Sequence, residues 1–394
     1  MIIDMNDFKF FTPTRYIFGK EAQKNVGKFS EELLGKRVLL VFGQGSARKS
    51  GLLDEIEKSL QEYGIKFYEF GGIRPNPTDS PVREGIRLCK EEDITGVLAV
   101  GGGSAIDTAK AIAAGALYDG DFWDFFEGKK QPEKALPVGV VLTIPAAGSE
   151  GSGNSVITKE EGLKKVSIRT DYVLRPKFAL LNPELTYGLP PYQTACGIVD
   201  MIAHILERYF TPTEGADVSD RLSEGIIRAI IENARTVMSN PHDYNARANI
   251  MWGGTLAHNG ICGCGKVEDW GCHGLEHEIS ALYDVAHGAG LSVILLAYMR
   301  YLLDRKPQRL AALGRNLFLI TRDNERETAE AALQEFEKFF KFIGMPVTFA
   351  ELGIENPDIE LMVKKVHQNK GETFGAYYSI TSDVSRAIYK MACR

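Results

Sequence analysis

What the 394-residue sequence lacks narrows its class first. No stretch reaches the ~18 consecutive apolar residues of a membrane span. The opening MIIDMNDFKFFTPTRYIFG has no basic segment followed by an apolar run, so no secretory signal is expected. Positive charge is not in excess. The net charge is −6 and the isoelectric point near 5.8, which gives no broad field for nucleic acid or anionic lipid. Cysteine is scarce: Cys89, Cys196, Cys262, Cys264, Cys272 and Cys393 are expected as free thiols rather than disulfides. Cys262, Cys264 and Cys272 begin with CxC spacing and lack a fourth thiol nearby, a poor match to a structural zinc site. Low-complexity tracts and repeats are absent. These absences point to a cytoplasmic globular chain with no nucleic-acid or membrane partner.

Several common site signatures are missing as well. There is no GxGxxG dinucleotide fingerprint, no P-loop GK[ST] and no HExxH. What is present in the N-terminal half is an alternation of short apolar runs and amphipathic stretches. RVLLVFG at 37–43 suits a buried parallel strand, and Leu52, Leu53, Ile56 and Leu60 share one side of the helix that follows. IKFYEFGG is a second strand, PTDSPVREGIRLCKEE a second helix, and 94–100 a third strand leading through glycines into a small-residue helix at 105–114. LPVGVVLTIPAAGSEGS is a further strand that breaks into a loop. The pattern predicts an α/β domain with a mostly parallel sheet. Near Pro190-Pro191 it changes to helical periodicity, over 193–210, 219–239, 243–259, 291–303, 326–342 and 359–368. The expected domains are therefore 1–190, α/β, and 191–394, all-helical.

Two features carry chemistry in the first half. Gly101-Gly102-Gly103-Ser104 follows a strand and opens a helix, so its backbone can approach a phosphate closely and the helix start offers unpaired N–H groups. Asp107, in the next turn, either orients that loop or contacts the ligand. Gly43-Gln44-Gly45-Ser46 forms a second turn of phosphate size, with Gly43, Gly45 and Ser46 as candidate contacts. It carries no acidic residue for a ribose. Arg48 and Lys49 follow instead, a pair suited to a 2′-phosphate, which favours NADP over NAD.

The second half holds all seven of the chain's histidines. In GIVDMIAHILERYF, Asp200 and His204 stand four apart on a helical pattern. In GCHGLEHEISALYDVAHGAG, His273 and His277 stand one turn apart, and His287 precedes a Gly-Ala-Gly break. Asp200, His204, His273 and His287 make a set of one carboxylate and three imidazoles. That set suits Zn²⁺ or Fe²⁺ and is too rich in nitrogen for Mg²⁺ or Ca²⁺. His277 is left beside the metal, available for proton transfer.

GGGSAIDTAK, RPKFALLNPELTYGLPPYQTACGIVDMIAHILERYF and CHGLEHEISALYDVAHGAGL together resemble the iron-containing (group III) alcohol dehydrogenase family, in its butanol dehydrogenase branch. The resemblance covers nearly the whole chain. It implies a dehydroquinate synthase-like fold: an α/β dinucleotide-binding domain, an all-α metal-binding domain, and NADP or NAD together with Fe²⁺ or Zn²⁺ in the cleft between them. It places the metal on Asp200, His204, His273 and His287, His277 near the nicotinamide, and the cofactor on Gly101 to Ser104 and Asp107. It adds Thr143, Ala146 to Ser149 and Lys165, or Lys164 with an offset of one. The family loop is often rich in threonine, whereas here it reads TIPAAGSEGS. The implied activity is hydride transfer between NAD(P)(H) and a short-chain primary alcohol or aldehyde such as butanol or butanal. The implied assembly is a homodimer. A dehydroquinate-synthase-like lyase is the alternative; it would want several basic residues near the metal, and Arg208 and Lys266 are the nearest in sequence.

Overall fold

The protein is described by a computed structural model covering residues 3–394. The chain divides into two compact units. The first, Phe11–Leu189, contains strand β1 (Arg15–Phe18), helix α1 (Val26–Leu33), β2 (Arg37–Gly43), the short α2 (Ser46–Lys49), α3 (Leu52–Glu62), β3 (Lys66–Ile73) and α4 (Asp79–Glu91). It continues through β4 (Gly96–Gly101), α5 (Gly103–Ala116), the short α6 (Trp123–Phe126), β5 (Val138–Leu142), β6 (Asn154–Lys159), β7 (Lys164–Arg169) and β8 (Phe178–Leu181). Six strands form one parallel sheet in the order β1-β8-β5-β4-β2-β3.

The central strands show why that sheet forms. Val38, Leu39, Leu40 and Val41 are fully buried in succession, as are Val97 to Val100, with no polar alternation. Such runs are covered on both faces, and each side chain so buried contributes roughly 1.5–3 kcal/mol. Helices α4 and α5 cross closely because glycine stands at the contacts. A Cβ on Gly85 would lie 2.3 Å from Ile112, and one on Gly115 would lie 2.2 Å from Ile86.

The hairpin β6–β7 lies outside this sheet and pairs antiparallel, Asn154 opposite Arg169 and Lys159 opposite Lys164. The sequence reading stops at a loop here. The hairpin mixes buried, half-buried and exposed residues over only six positions per strand, without the continuous apolar signal of the parallel strands. Strands β1 and β8, four residues each, are too short to carry a period and were likewise not anticipated.

The second unit comprises Pro190–Arg394 with the described part of Met1–Phe10. It is built from α7 (Pro191–Tyr209), α8 (Asp217–Ser239), α9 (Tyr244–His258), α10 (Gly271–Tyr283), α11 (His287–Leu303), α12 (Gln308–Asn316), α13 (Glu325–Phe342), α14 (Ile359–Lys370) and α15 (Ser382–Met391). Its core gathers around α7 and α11, which are buried on nearly every side. Helix α11 starts at His287, four residues before the apolar run that marks it in sequence. Among the described residues no helix is long and apolar enough to cross a membrane.

Candidate metal centre and nucleotide turn

Three helices of the second unit bring the candidate ligands together. Proline at the first turn starts α7, and nineteen helical residues place Asp200 and His204 one turn apart, both about 5% exposed. Helix α10 begins at Trp270, whose φ of 61° is unusual for a residue with a side chain, and it carries His273 and His277 inward, each 6% exposed. Helix α11 packs its first turn directly on α7. A Cβ on Gly288 would lie 2.1 Å from the Cys196 carbonyl oxygen, and one on Gly290 would lie 2.6 Å from Glu276 Oε1. Only glycine permits these approaches, and they bring His287 to the site.

Asp200 Oδ1 is the common point. His204 Nδ1 lies 3.0 Å from it, His273 Nε2 3.7 Å and His287 Nε2 3.9 Å. Ligand atoms of Asp200, His204 and His273 fall within 4.8 Å of one another, and so do those of Glu276, His277 and His287. Neither Asp200 Oδ1 nor His273 Nε2 has a hydrogen bond of acceptable geometry, although both are buried. A carboxylate oxygen and an imidazole nitrogen left this way are costly unless a cation takes them up.

The electrostatics of the set follow from burial and mutual contact. Burial alone would raise the Asp200 carboxyl, but His204, His273 and His287 hold it well below the usual carboxylate range. Burial lowers His204. Burial would also lower His273, yet the nearby carboxylates of Asp200 and Glu207 raise it to about 9. The ring of His277 stands 6.5 Å from that of His273 and 5.8 Å from that of His287, beside the cluster.

In the α/β unit, Gly101 ends β4 and Gly103 opens α5, with Gly102 between them. No side chain caps this helix start. A Cβ on Gly102 would lie 2.8 Å from Ile144 and one on Gly103 would lie 3.3 Å from Ala147, so the glycines let the 142–149 loop lie against the turn. Asp107 is engaged with that loop: Ser149 donates to its Oδ1 at 2.6 Å and the Val156 N–H to its Oδ2 at 3.0 Å. Lys110, fully buried, donates to the carbonyls of Ser149, Ser152 and Asn154 at 2.6–2.9 Å. Burial lowers its ammonium to about 8, against the pull of Asp107 and Glu150. Ser149 is thus a buried strut, while Thr143 and Ala146 are half-buried at the end of β5 and beyond. Lys165 on β7 donates to Asn76 at 3.1 Å. Gly43 and Gly45 are half-buried and Ser46 exposed, with Gly45 at φ 141°. Arg48 beside them meets Asp54 at 3.0 Å, Glu57 at 2.7 Å and Glu69 at 2.5 Å.

Against known proteins, the family described as "Iron-containing alcohol dehydrogenase" matches residues 13–183, and "Fe-containing alcohol dehydrogenase family, C-terminal" matches 194–393. The chain belongs to the iron-containing alcohol dehydrogenases. Similar relatives include NADH-dependent butanol dehydrogenase A of Clostridium acetobutylicum, 39% identical over 98% of this chain and 99% of that protein. Another is the NADPH-dependent aldehyde reductase YqhD of Escherichia coli, 37% identical over 98% and 100%. The crystal structure of NADH-dependent butanol dehydrogenase A from Thermotoga maritima superposes with a TM-score of 0.95 at 38% identity, all of both chains being covered.

Within this iron-containing dehydrogenase, the sequence reading passed over several residues around the candidate ligands. Glu207 and Glu276 are buried against His273 and His287. His258 lies ring to ring with His204 at 4.1 Å, and Trp270 stands 5.4 Å from His273. Glu207 was legible, since it continues the face of α7 that begins at Asp200 and His204. Trp270 lies one helical turn before His273, whereas His258 comes from a separate stretch and no local spacing ties it to the ligands.

Proposed function

We propose that the protein is a metal-dependent alcohol dehydrogenase and aldehyde reductase, moving a hydride between NAD(P)(H) and a short-chain primary alcohol or aldehyde such as butanol or butanal. The observation that carries this reading is the buried meeting of Asp200 Oδ1 with His204, His273 and His287, in which Asp200 Oδ1 and His273 Nε2 have no hydrogen bond. Three imidazoles and one carboxylate fit Fe²⁺ or Zn²⁺.

When bound, the cation supplies Lewis-acid polarisation of the substrate oxygen, and the nicotinamide supplies or accepts the hydride. The chain's own residues do the rest. Asp200, held anionic, offsets the cation's charge, and the imidazoles of His204, His273 and His287 complete the donor set. A ring nitrogen of His277 gives a proton to the substrate oxygen in reduction and takes one in oxidation. Gly101 to Ser104, with the open start of α5, receive the pyrophosphate, and Asp107, Ser149 and Lys110 keep the adjoining loop in place.

For the cofactor, we infer NAD(H). Arg48, which the sequence offers to a 2′-phosphate, is ringed by Asp54, Glu57 and Glu69. A 2′-phosphate would enter beside three carboxylates and would have to displace Arg48 from them. Homodimerisation belongs to the same reading: β1 is an edge strand, and Phe11 and Phe18 near it are 64% and 40% exposed.

A steady-state assay on metal-defined protein tests the reading, crossing NADH and NADPH with aldehydes of rising chain length. We expect metal-dependent turnover of butanal, with kcat/KM for NADH at least ~10-fold above NADPH, equivalent to about 1.4 kcal/mol. Equal use of both cofactors would overturn the inference from Arg48. Absence of net NAD(P)H turnover with any aldehyde would overturn the function.

A further inference from the structure

Two carboxylates lie behind the metal cluster. Glu207, on α7 and 1% exposed, accepts the His273 backbone N–H at 2.7 Å and stands 3.0 Å from His273 Nδ1. Glu276, on α10 and wholly buried, accepts the Ser280 hydroxyl at 2.7 Å through Oε1, and its Oε2 meets His287 Nδ1. At both histidines a glutamate stands on the Nδ1 side and Asp200 Oδ1 on the Nε2 side; the Glu207 contact is a hydrogen bond and the Glu276 contact a close approach. The remaining candidate ligand, His204, turns Nδ1 to the Asp200 carbonyl oxygen at 2.8 Å.

We propose that Glu207 and Glu276 are positioning residues for the metal. Each fixes the proton of one imidazole on Nδ1, so that Nε2 of His273 and of His287 carries the lone pair toward the cation. The inference rests on the metal reading above.

The physical argument has three parts. A neutral imidazole donates through one nitrogen and accepts through the other, so a buried carboxylate at Nδ1 selects the tautomer. The partner also fixes the ring's angle and makes Nε2 a stronger donor, and loss of such a partner typically weakens metal binding about 10- to 100-fold. Finally, neither glutamate is there by accident of packing. Glu207 also caps the first turn of α10, where backbone N–H groups lack partners. Glu276 is admitted beside α11 because position 290 is glycine, a Cβ there lying 2.6 Å from its Oε1.

The test is metal affinity, measured by competition with a chromophoric chelator for Zn²⁺ and Co²⁺, together with the visible spectrum of the Co²⁺ protein. The variants are E207Q, E276Q and E276A in the full chain. Glutamine keeps the shape and an acceptor oxygen, so folding, followed by circular dichroism, should be preserved. We expect E207Q and E276Q to bind about 10-fold more weakly than wild type and E276A about 100-fold more weakly. The Co²⁺ spectrum should be altered in E276A and largely restored in E276Q. Folded variants with wild-type affinity and an unchanged Co²⁺ spectrum would overturn the assignment alone. A wild-type protein that binds neither cation would remove the metal reading itself, and this assignment with it.

Discussion

His273 and His277 are a single helical turn apart, yet they stand differently toward Asp200. His273 Nε2 points at Asp200 while His277 stands aside, its ring 6.5 Å from that of His273. His273→Ala should therefore lower metal content and activity together. His277→Ala should keep stoichiometric metal and lose turnover, on the order of 10²-fold for a lost proton-transfer group. Elemental analysis beside kcat separates the two. A fully metallated, fully active His273→Ala would dismiss that residue as a ligand. Gly288 makes a sharper point about the backbone. Its missing Cβ leaves room for the Cys196 carbonyl, which an alanine would meet at 2.1 Å. The obstacle is main chain and cannot rotate away. Gly288→Ala should cost about 1–3 kcal/mol in a denaturant titration and loosen the metal by shifting His287. A variant with wild-type stability and affinity would show that α11 can slide without consequence.

At the scale of elements, legibility followed the length of each signal. Helices α7, α8, α9 and α13 were readable because fifteen or more residues repeat an apolar face. The buried strands β2 and β4 were readable from runs of Val and Leu. The hairpin β6–β7, the short strands β1 and β8, and helices α12 and α15 were not, since each offers too few periods against its neighbours. The candidate cluster was legible in part because Asp200/His204 and His273/His277 each repeat at one helical turn. The supports were less so, because the link from Glu276 to His287 appears only when α10 and α11 pack.

Contacts between elements also fix the acid limit of the fold. Asp220 on α8 accepts from both Nη atoms of Arg309 on α12 at 2.7 Å, and from Lys266 at 3.0 Å. Burial would raise this carboxyl, but Arg309 and Lys266 bring it below its ordinary value. The folded state thus binds the proton less tightly than the unfolded chain. The stability this contributes is complete above the unfolded value near pH 4 and drains away as pH falls through the folded one. Asp220→Asn should cost about 3–5 kcal/mol at pH 7, because it removes the carboxylate shared by buried Lys266 and half-buried Arg309. Urea titrations should show that deficit shrinking toward pH 3. A deficit constant with pH would mean that packing, not charge, is what Asp220 provides.

The whole molecule consists of two units, each with its own core. The candidate metal ligands all belong to the helical unit, on α7, α10 and α11, whereas the glycine turn belongs to the α/β unit. A cation that binds the folded helical unit and not the unfolded chain stabilises it by mass action, ~4 kcal/mol when its concentration is a thousand times the dissociation constant. Stripping it returns Asp200 Oδ1 and His273 Nε2 to a buried state without partners, and the strain should be felt first where α10 and α11 begin. Amide exchange on chelated and reloaded protein reads this directly. Protection should fall across Gly271–Tyr283 and the first turns of α11, while β2, β4 and β5 keep theirs. Adding NAD⁺ should do the reverse, slowing exchange at Gly101 to Ser104 and the start of α5 without restoring α10. Equal loosening of both units on chelation would argue that the cation is a scaffold for the entire chain, and unchanged exchange at α10 that the cluster holds itself together through hydrogen bonds alone.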